Sequence, residues 1–281
     1  MFLIKTPILA TIIHLQSKYC SFITQPLKTL RKKGSSMFRT IDLSLVRQKF
    51  VAGIRDYVGD KTAVIGISGG IDSALVASLC VEALGREKVF GVMLPYGEQK
   101  DITDSFALIH SLNIPSELFN IQSSVDALVG QLSFAGHQIS RLSKANIMAR
   151  TRMNVLYFFS GSQNGLVIGT TNQTEYKIGY FTKFGDGACD LEPIVELYKT
   201  EVWQLSSMMG NIPQSIIDKK PTAGLWDGQT DEQEIGVSYP ALDAFLMGDN
   251  FALDQASAAK IIQLIDKTEH KRRLPFSLSI A

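Results

Sequence analysis

Residues 64–73 read VIGISGGIDS: a short apolar run ends in Ser-Gly-Gly, and an aspartate stands at the mouth of the segment that follows. Glycines at such a junction let backbone N–H groups approach a ligand closely. The free N–H groups of a helix start favour an anion. Ser68 and Ser73 add hydroxyls, and phosphate is the guest that fits. A Walker A loop is excluded, because no lysine is present to reach the terminal phosphates. A carboxylate inside a phosphate nest repels its ligand unless a divalent cation lies between them. Asp72 therefore reads as a ligand for Mg2+ on the phosphates of a nucleotide. The structural alternative is that Asp72 only caps its helix and Ser-Gly-Gly is a tight turn.

The surrounding pattern says what must position this loop. Residues 41–58 place Leu43, Val46, Phe50, Ile54 and Val58 at helical spacing. A buried strand is predicted over 62–67. A helix then carries Val76, Leu79, Cys80, Ala83 and Leu84 as one stripe and stops at Gly85. Further strands are predicted over 88–94, 116–121 and 165–172, with helices over 101–114, 144–160 and 255–269. The chain beyond 185 otherwise reads as loop-rich. Strands alternating with helices predict an α/β fold, a doubly wound, mostly parallel sheet with helices on both faces. Ligands in such sheets sit beyond the carboxyl ends of the strands, so residues 68–73, 95–100 and 170–175 are expected to converge on one crevice.

Composition narrows the class. The 281 residues suit one large domain or two small ones, and the net charge of +1 offers no whole-molecule argument for nucleic acid. The charge is uneven: residues 1–41 hold seven Lys and Arg and no acid, which leaves −6 for the remainder. Cys20, Cys80 and Cys189 are widely spaced, so neither a zinc cluster nor a disulfide framework is indicated, and a reducing, cytoplasmic setting is expected. The leader's longest clean apolar run, Ile8–Ile13, falls far short of the roughly 20 residues that span a bilayer. Residues 1–36 are expected to form a basic leader outside the catalytic fold, which is assigned to 37–281. The leader's composition matches an organellar transit peptide. Its lack of a cleavage signal favours Met37 as the functional start.

SGGIDS resembles the pyrophosphate-gripping loop of the adenylating N-type ATP pyrophosphatases, of adenine nucleotide alpha hydrolase-like fold. Within that group LPYGEQKD (94–101), NIMARTRM (146–153), GTTNQTEYKIGYFTKFGDGACDLEPIVELYKTEV (169–202), PTAGLWDGQTDEQEIGVSY (221–239) and TEHKRRLP (268–275) are similar to the NAD synthetases. The resemblance implies that Gly66, Ile67, Ser68, Gly69, Gly70, Ile71, Asp72 and Ser73 bind ATP phosphates, with Gln99, Thr170, Lys199 and Thr222 also on ATP. It puts Mg2+ on Asp72 and Glu175. It puts deamido-NAD on Arg152, Lys183, Asp190, His270 and Lys271, and Asp186 near the amide-forming centre. Glu175 lies five residues past Thr170, where it can face Asp72 across the crevice. Lys199 offers a mobile point charge and Arg152 a bidentate fork. Arg150 and Arg152 lie on different faces of one helix, so at least one is expected to serve structure alone. The aromatic run GYFTKF reads equally as core or as a ring-stacking site.

The implied activity is amidation of deamido-NAD by ammonia through an acyl-adenylate, with release of AMP and pyrophosphate, in a homodimer whose dinucleotide site lies at the interface. No covalent nucleophile is needed, so the absence of a Ser-His-Asp pattern is no objection. Only some 40 residues precede the synthetase region, which predicts free ammonia or a partner glutaminase as the nitrogen source. Two departures from the family stand out. Met93 replaces a common arginine, with its thioether available to adenine, and FSLSIA replaces an acidic, tryptophan-ending tail. A tRNA thiolase would want a reactive cysteine and a basic face. A regulatory nucleotide-binding module would not need the paired Asp72 and Glu175.

Overall fold

The structure, a computed structural model, describes residues 39–99, 102–222 and 230–278. The leader 1–36 and part of the 221–239 motif lie outside the described residues.

Four short strands make the sheet: β1 (Thr62–Gly66), β2 (Val89–Met93), β3 (Ser116–Leu118) and β4 (Gly165–Ile168). Their order is β3-β2-β1-β4 and every pairing is parallel. β1 is an inner strand, so both its faces are covered. Ala63 and Ile65 enter one core cluster and Val64 the other. This is why β1 reads as a continuous apolar run rather than an alternating one.

The helices, in chain order, are α1 (Leu43–Val58), α2 (Ile71–Leu84), α3 (Ile102–Leu112), α4 (Gln122–Phe134), α5 (Arg141–Ser162), α6 (Gln173–Ile178), α7 (Lys199–Met209), α8 (Gln214–Ile217), α9 (Asp231–Ile235), α10 (Tyr239–Leu246) and α11 (Gln255–Lys267). Residues of α1, α2, α3 and α7 fill the core on one face of the sheet, and those of α4 and α5 fill the other. The expected α/β architecture with helices on both faces is the one found. A third cluster joins α6, α9, α10 and α11 through Ile178, Ile235, Tyr239, Leu242 and Ile261.

Several expectations need correction. α2 has no single apolar stripe: Ser73 through Cys80 are all buried. It is covered along most of its length, lying over the sheet between α1 and α7, with Glu82 in its last turn left exposed. β3 stops at Leu118. β4 stops at Ile168, because Asn172 starts a helix instead of continuing the strand: its side chain accepts the Glu175 N–H while the Glu175 carboxylate accepts the Asn172 N–H. The region beyond 185 is not merely loops, since α7 to α10 occupy it. α4 went unpredicted; only Val125 of its residues is buried, which leaves little pattern to read. Among the described residues no helix is long and apolar enough to cross a membrane.

β1 hydrogen-bonds β2 on one side and β4 on the other. The chain therefore changes direction across the sheet between β1 and β4, and a crevice opens at their carboxyl ends. The loops 67–70 and 169–172 meet there, each leading into a helix.

Beyond α6, Gly179 adopts φ +68° and an added Cβ would fall 2.3 Å from Thr268 Cβ. The left-handed backbone and the packed neighbour both demand glycine. Gly179→Ala is expected to lower unfolding stability by about 2–3 kcal/mol. Urea denaturation checks this, and an unchanged midpoint would contradict it.

Candidate active site

The N-terminus of α2 is capped by the backbone of Gly70, with no side-chain cap. Asp72 thus does not act as the helix cap. Its Oδ1 accepts Asn172 Nδ2 at 2.9 Å, and its Oδ2 accepts Lys199 Nζ at 2.5 Å. Lys199 Nζ also donates to Glu175 Oε1 at 3.4 Å. Three helix starts, those of α2, α6 and α7, therefore bring Asp72, Glu175 and Lys199 to one point between β1 and β4.

Electrostatics bind the three together. Lys199 is only 2% exposed. Burial opposes its charge, but Asp72 and Glu175 outweigh that and hold the ammonium above its ordinary range. Burial pushes the Glu175 carboxyl up to about 8, against the pull of Lys199 and with the help of Asp72. One cation thus serves two carboxyl groups, and the charge on each depends on the other two members of the trio. The Tyr239 ring lies 5.2 Å from the ammonium, and its hydroxyl donates to Asp231 Oδ2 at 3.0 Å.

The 66–73 loop is held from within. Gly69 takes φ +75°. Ser73 Oγ donates to the Gly70 carbonyl at 3.0 Å and lies 3.1 Å from Ser68 Oγ, which accepts the Gly70 N–H at 3.2 Å. The side chains of Ile67 and Ile71 are buried in the core, so only their backbone can serve a ligand. The loop itself contains no lysine, but the fold supplies two. Lys199 comes from 127 residues beyond Asp72, and Lys219 places Nζ 3.4 Å from the Gly69 carbonyl and 2.9 Å from Asp104 Oδ2.

The other expected residues fall in several places. Gln99 is the last described residue before 102, and its carbonyl accepts the Ile102 N–H. Thr170 lies between β4 and α6, and Thr222 is the last described residue before 230. Met93 is buried in the core rather than standing at the crevice surface. A second group gathers around residues 180–188. Arg152 Nε donates to the Leu94 carbonyl at 3.0 Å, at the carboxyl end of β2, and Asp186 contributes favourable charge to it. Asp186 accepts the Thr182 N–H at 2.9 Å. Lys183 donates to the His270 carbonyl at 2.6 Å, and Lys271 donates to those of Gly179 and Phe181 at 2.8 and 2.6 Å. Arg150 instead takes the exposed side of α5, donating to the Lys183 carbonyl. Asp190 stands apart from this group: its carboxylate accepts the Val167 N–H on β4 at 2.8 Å. The aromatic run divides: Phe181 stacks on Tyr176 at 6.2 Å, whereas Phe184 is exposed.

Residues that the sequence reading passed over include Asn172, Lys219, Asp243 and Glu192. Asn172 was findable as the first residue of an N-x-x-E capping box. Asp243 is a lone acid in the apolar run of α10. Glu192 accepts the Thr171 N–H at 3.0 Å and is pushed up to about 7 by burial. Nothing in its spacing marks it. Among the described residues no group of three or more His, Cys, Asp or Glu is arranged to hold a metal. Asp72 and Glu175 already share one cationic nitrogen, so their oxygens suit a hard divalent ion that takes few protein ligands and completes its shell with phosphates.

The NAD synthase family model matches residues 46–275. The chain is 43% identical over 253 residues to the NH(3)-dependent NAD(+) synthetase of Pyrococcus horikoshii, covering 86% of this chain and 96% of that one. It is 46% identical over 224 residues to that of Thermococcus kodakarensis, covering 75% and 87%. Among solved structures, the NMN synthetase of Francisella tularensis superposes with a TM-score of 0.79 at 37% identity, covering 86% of this chain and all of that one. The NH3-dependent NAD synthetase of Campylobacter jejuni gives 0.71 at 32%, covering 85% and 100%. With one model spanning most of its length and relatives this similar, the chain belongs to the NAD synthase family.

Proposed function

We propose that this protein is an ammonia-dependent ligase that amidates deamido-NAD to NAD with ATP. The observation that carries the reading is the buried Lys199 ammonium, shared by Asp72 and Glu175 beside the 68–73 loop. The nicotinate carboxylate attacks the α-phosphorus of ATP, and pyrophosphate leaves into the N–H groups of the loop. Ammonia then attacks the acyl carbon, AMP departs, and the amide of NAD remains. Lys199 neutralises phosphate charge, and the loop N–H groups orient the departing diphosphate. Asp72 and Glu175 would hold Mg2+, which when bound supplies further charge neutralisation on the triphosphate. Gln99, Thr170 and Thr222 flank the nucleotide. Arg152, Lys183, Asp190, His270 and Lys271 bind the dinucleotide, and Asp186 sits where ammonium would be received.

Free ammonia is the donor that the NH(3)-dependent names of the relatives support. The homodimer with its dinucleotide site at the interface is supported by exposed Leu142, Tyr157 and Phe158 on α5, beside the edge strand β4. A cytoplasmic setting is supported by the free thiols Cys80 and Cys189. A second reading, amidation of nicotinate mononucleotide, is favoured by the likeness to the NMN synthetase of Francisella tularensis.

Incubation with ATP, Mg2+ and ammonium is expected to release AMP only when deamido-NAD is added, with ammonium far superior to glutamine. A higher kcat/KM on nicotinate mononucleotide than on deamido-NAD would select the second reading. AMP release without either acceptor would overturn both. Asp72→Ala is expected to lower kcat by at least about 100-fold and to lower the thermal midpoint as well, because it takes one partner from the buried Lys199 ammonium. Full turnover by that variant would remove Asp72 from the chemistry.

A further inference from the structure

Asp243 interrupts the apolar run of α10, and it is fully buried. A buried carboxylate persists only where strong donors meet it. Its Oδ1 accepts the Thr174 hydroxyl at 2.5 Å, and its Oδ2 accepts the Thr200 N–H at 2.9 Å. The Thr174 oxygen in turn accepts the Lys199 N–H at 3.0 Å. Thr174 precedes Glu175 on α6, and Thr200 follows Lys199 on α7. One carboxylate is therefore bonded to the immediate neighbours of two members of the catalytic trio. Facing the first turn of α7 from α10, it also meets the favourable end of that helix's dipole.

We propose that Asp243 is a positioning residue: through Thr174 and Thr200 it fixes how Lys199 and Glu175 face each other, and so where the lysine ammonium stands against Asp72 and the nucleotide phosphates. The proposal rests on the assignment of Lys199 to phosphate neutralisation made above. Displacing a catalytic group by about 1 Å can cost on the order of 100-fold in rate, whereas the lost carboxylate touches no substrate.

Asp243→Asn keeps the side-chain shape but sets an amide N–H against one of the two donors. It is expected to lower kcat by about 100-fold with KM for deamido-NAD nearly unchanged. Thr174→Val is expected to reproduce the loss, and Thr174→Ser, which keeps the hydroxyl, to restore turnover. The deciding measurement repeats Asp243→Asn in a Lys199→Met background. If Asp243 acts through Lys199, the second change costs less than about threefold there, since coupled sites are not additive. A full loss in both backgrounds would mark a merely structural role and overturn the proposal. So would near-normal turnover by Asp243→Asn or Thr174→Val alongside an impaired Lys199→Met. Normal turnover by Lys199→Met itself would overturn the parent assignment, and this proposal with it.

Discussion

A buried ammonium between two carboxyl groups is the constraint from which the rest of this molecule can be understood. Lys199 is taken almost wholly out of water, and the penalty for that is several kcal/mol unless the partners are close and well oriented. Asp72 at 2.5 Å and Glu175 at 3.4 Å provide them. Removing either carboxylate leaves a charge unbalanced in a low-dielectric pocket. The arrangement is therefore not a surface ion pair of small value but one that the fold has to enforce from several directions.

The enforcement begins with topology. A parallel sheet that changes direction between β1 and β4 puts two strand ends side by side, and each is followed at once by a helix start. Asp72 enters from α2 and Glu175 from α6. α7, whose first residue is Lys199, packs on α2 through the same core that buries Val202 and Leu205. The Asn172 amide ties the two carboxylate-bearing helix starts together while its oxygen caps α6. Local helix capping and long-range site assembly are thus carried by one side chain.

How much of this was legible follows from the range over which each feature is encoded. β1, α2 and the Gly-Gly turn are local: a β-branched run, a helical period and two glycines within some twenty residues, so the strand–loop–helix junction could be located from spacing alone. The loop 66–73 is free of lysine, as its motif says, and the family resemblance supplied Lys199 from far along the chain. Lys219 also reaches the loop from a distance, and neither spacing nor the resemblance pointed to it. α4 hid because only Val125 is buried, and the β4 boundary was misplaced because an Asn–Glu capping pair ended the strand early. Asp243 looked like an ordinary polar interruption. Its meaning lies entirely in which backbone and hydroxyl groups the fold brings to it.

The first turn of α7 is where these threads meet. Arg39 grips Glu201 with Nε and Nη2 at 2.6 and 2.7 Å, and Glu201 in turn accepts the Tyr198 N–H at 2.9 Å. Asp243 holds the Thr200 N–H from the opposite side, and Thr174 holds the Lys199 N–H. Three successive N–H groups, which an isolated helix would leave without partners, each find an acceptor on another part of the chain or in the helix's own cap. A helix start determined this many times over has little freedom to shift when the charge beside it changes. In the reaction proposed above, that rigidity would keep the ammonium between its two carboxyl groups while a polyanionic substrate arrives and a diphosphate leaves. Arg39, which reaches Glu201 and the Glu196 carbonyl rather than the trio itself, belongs to this same bracing.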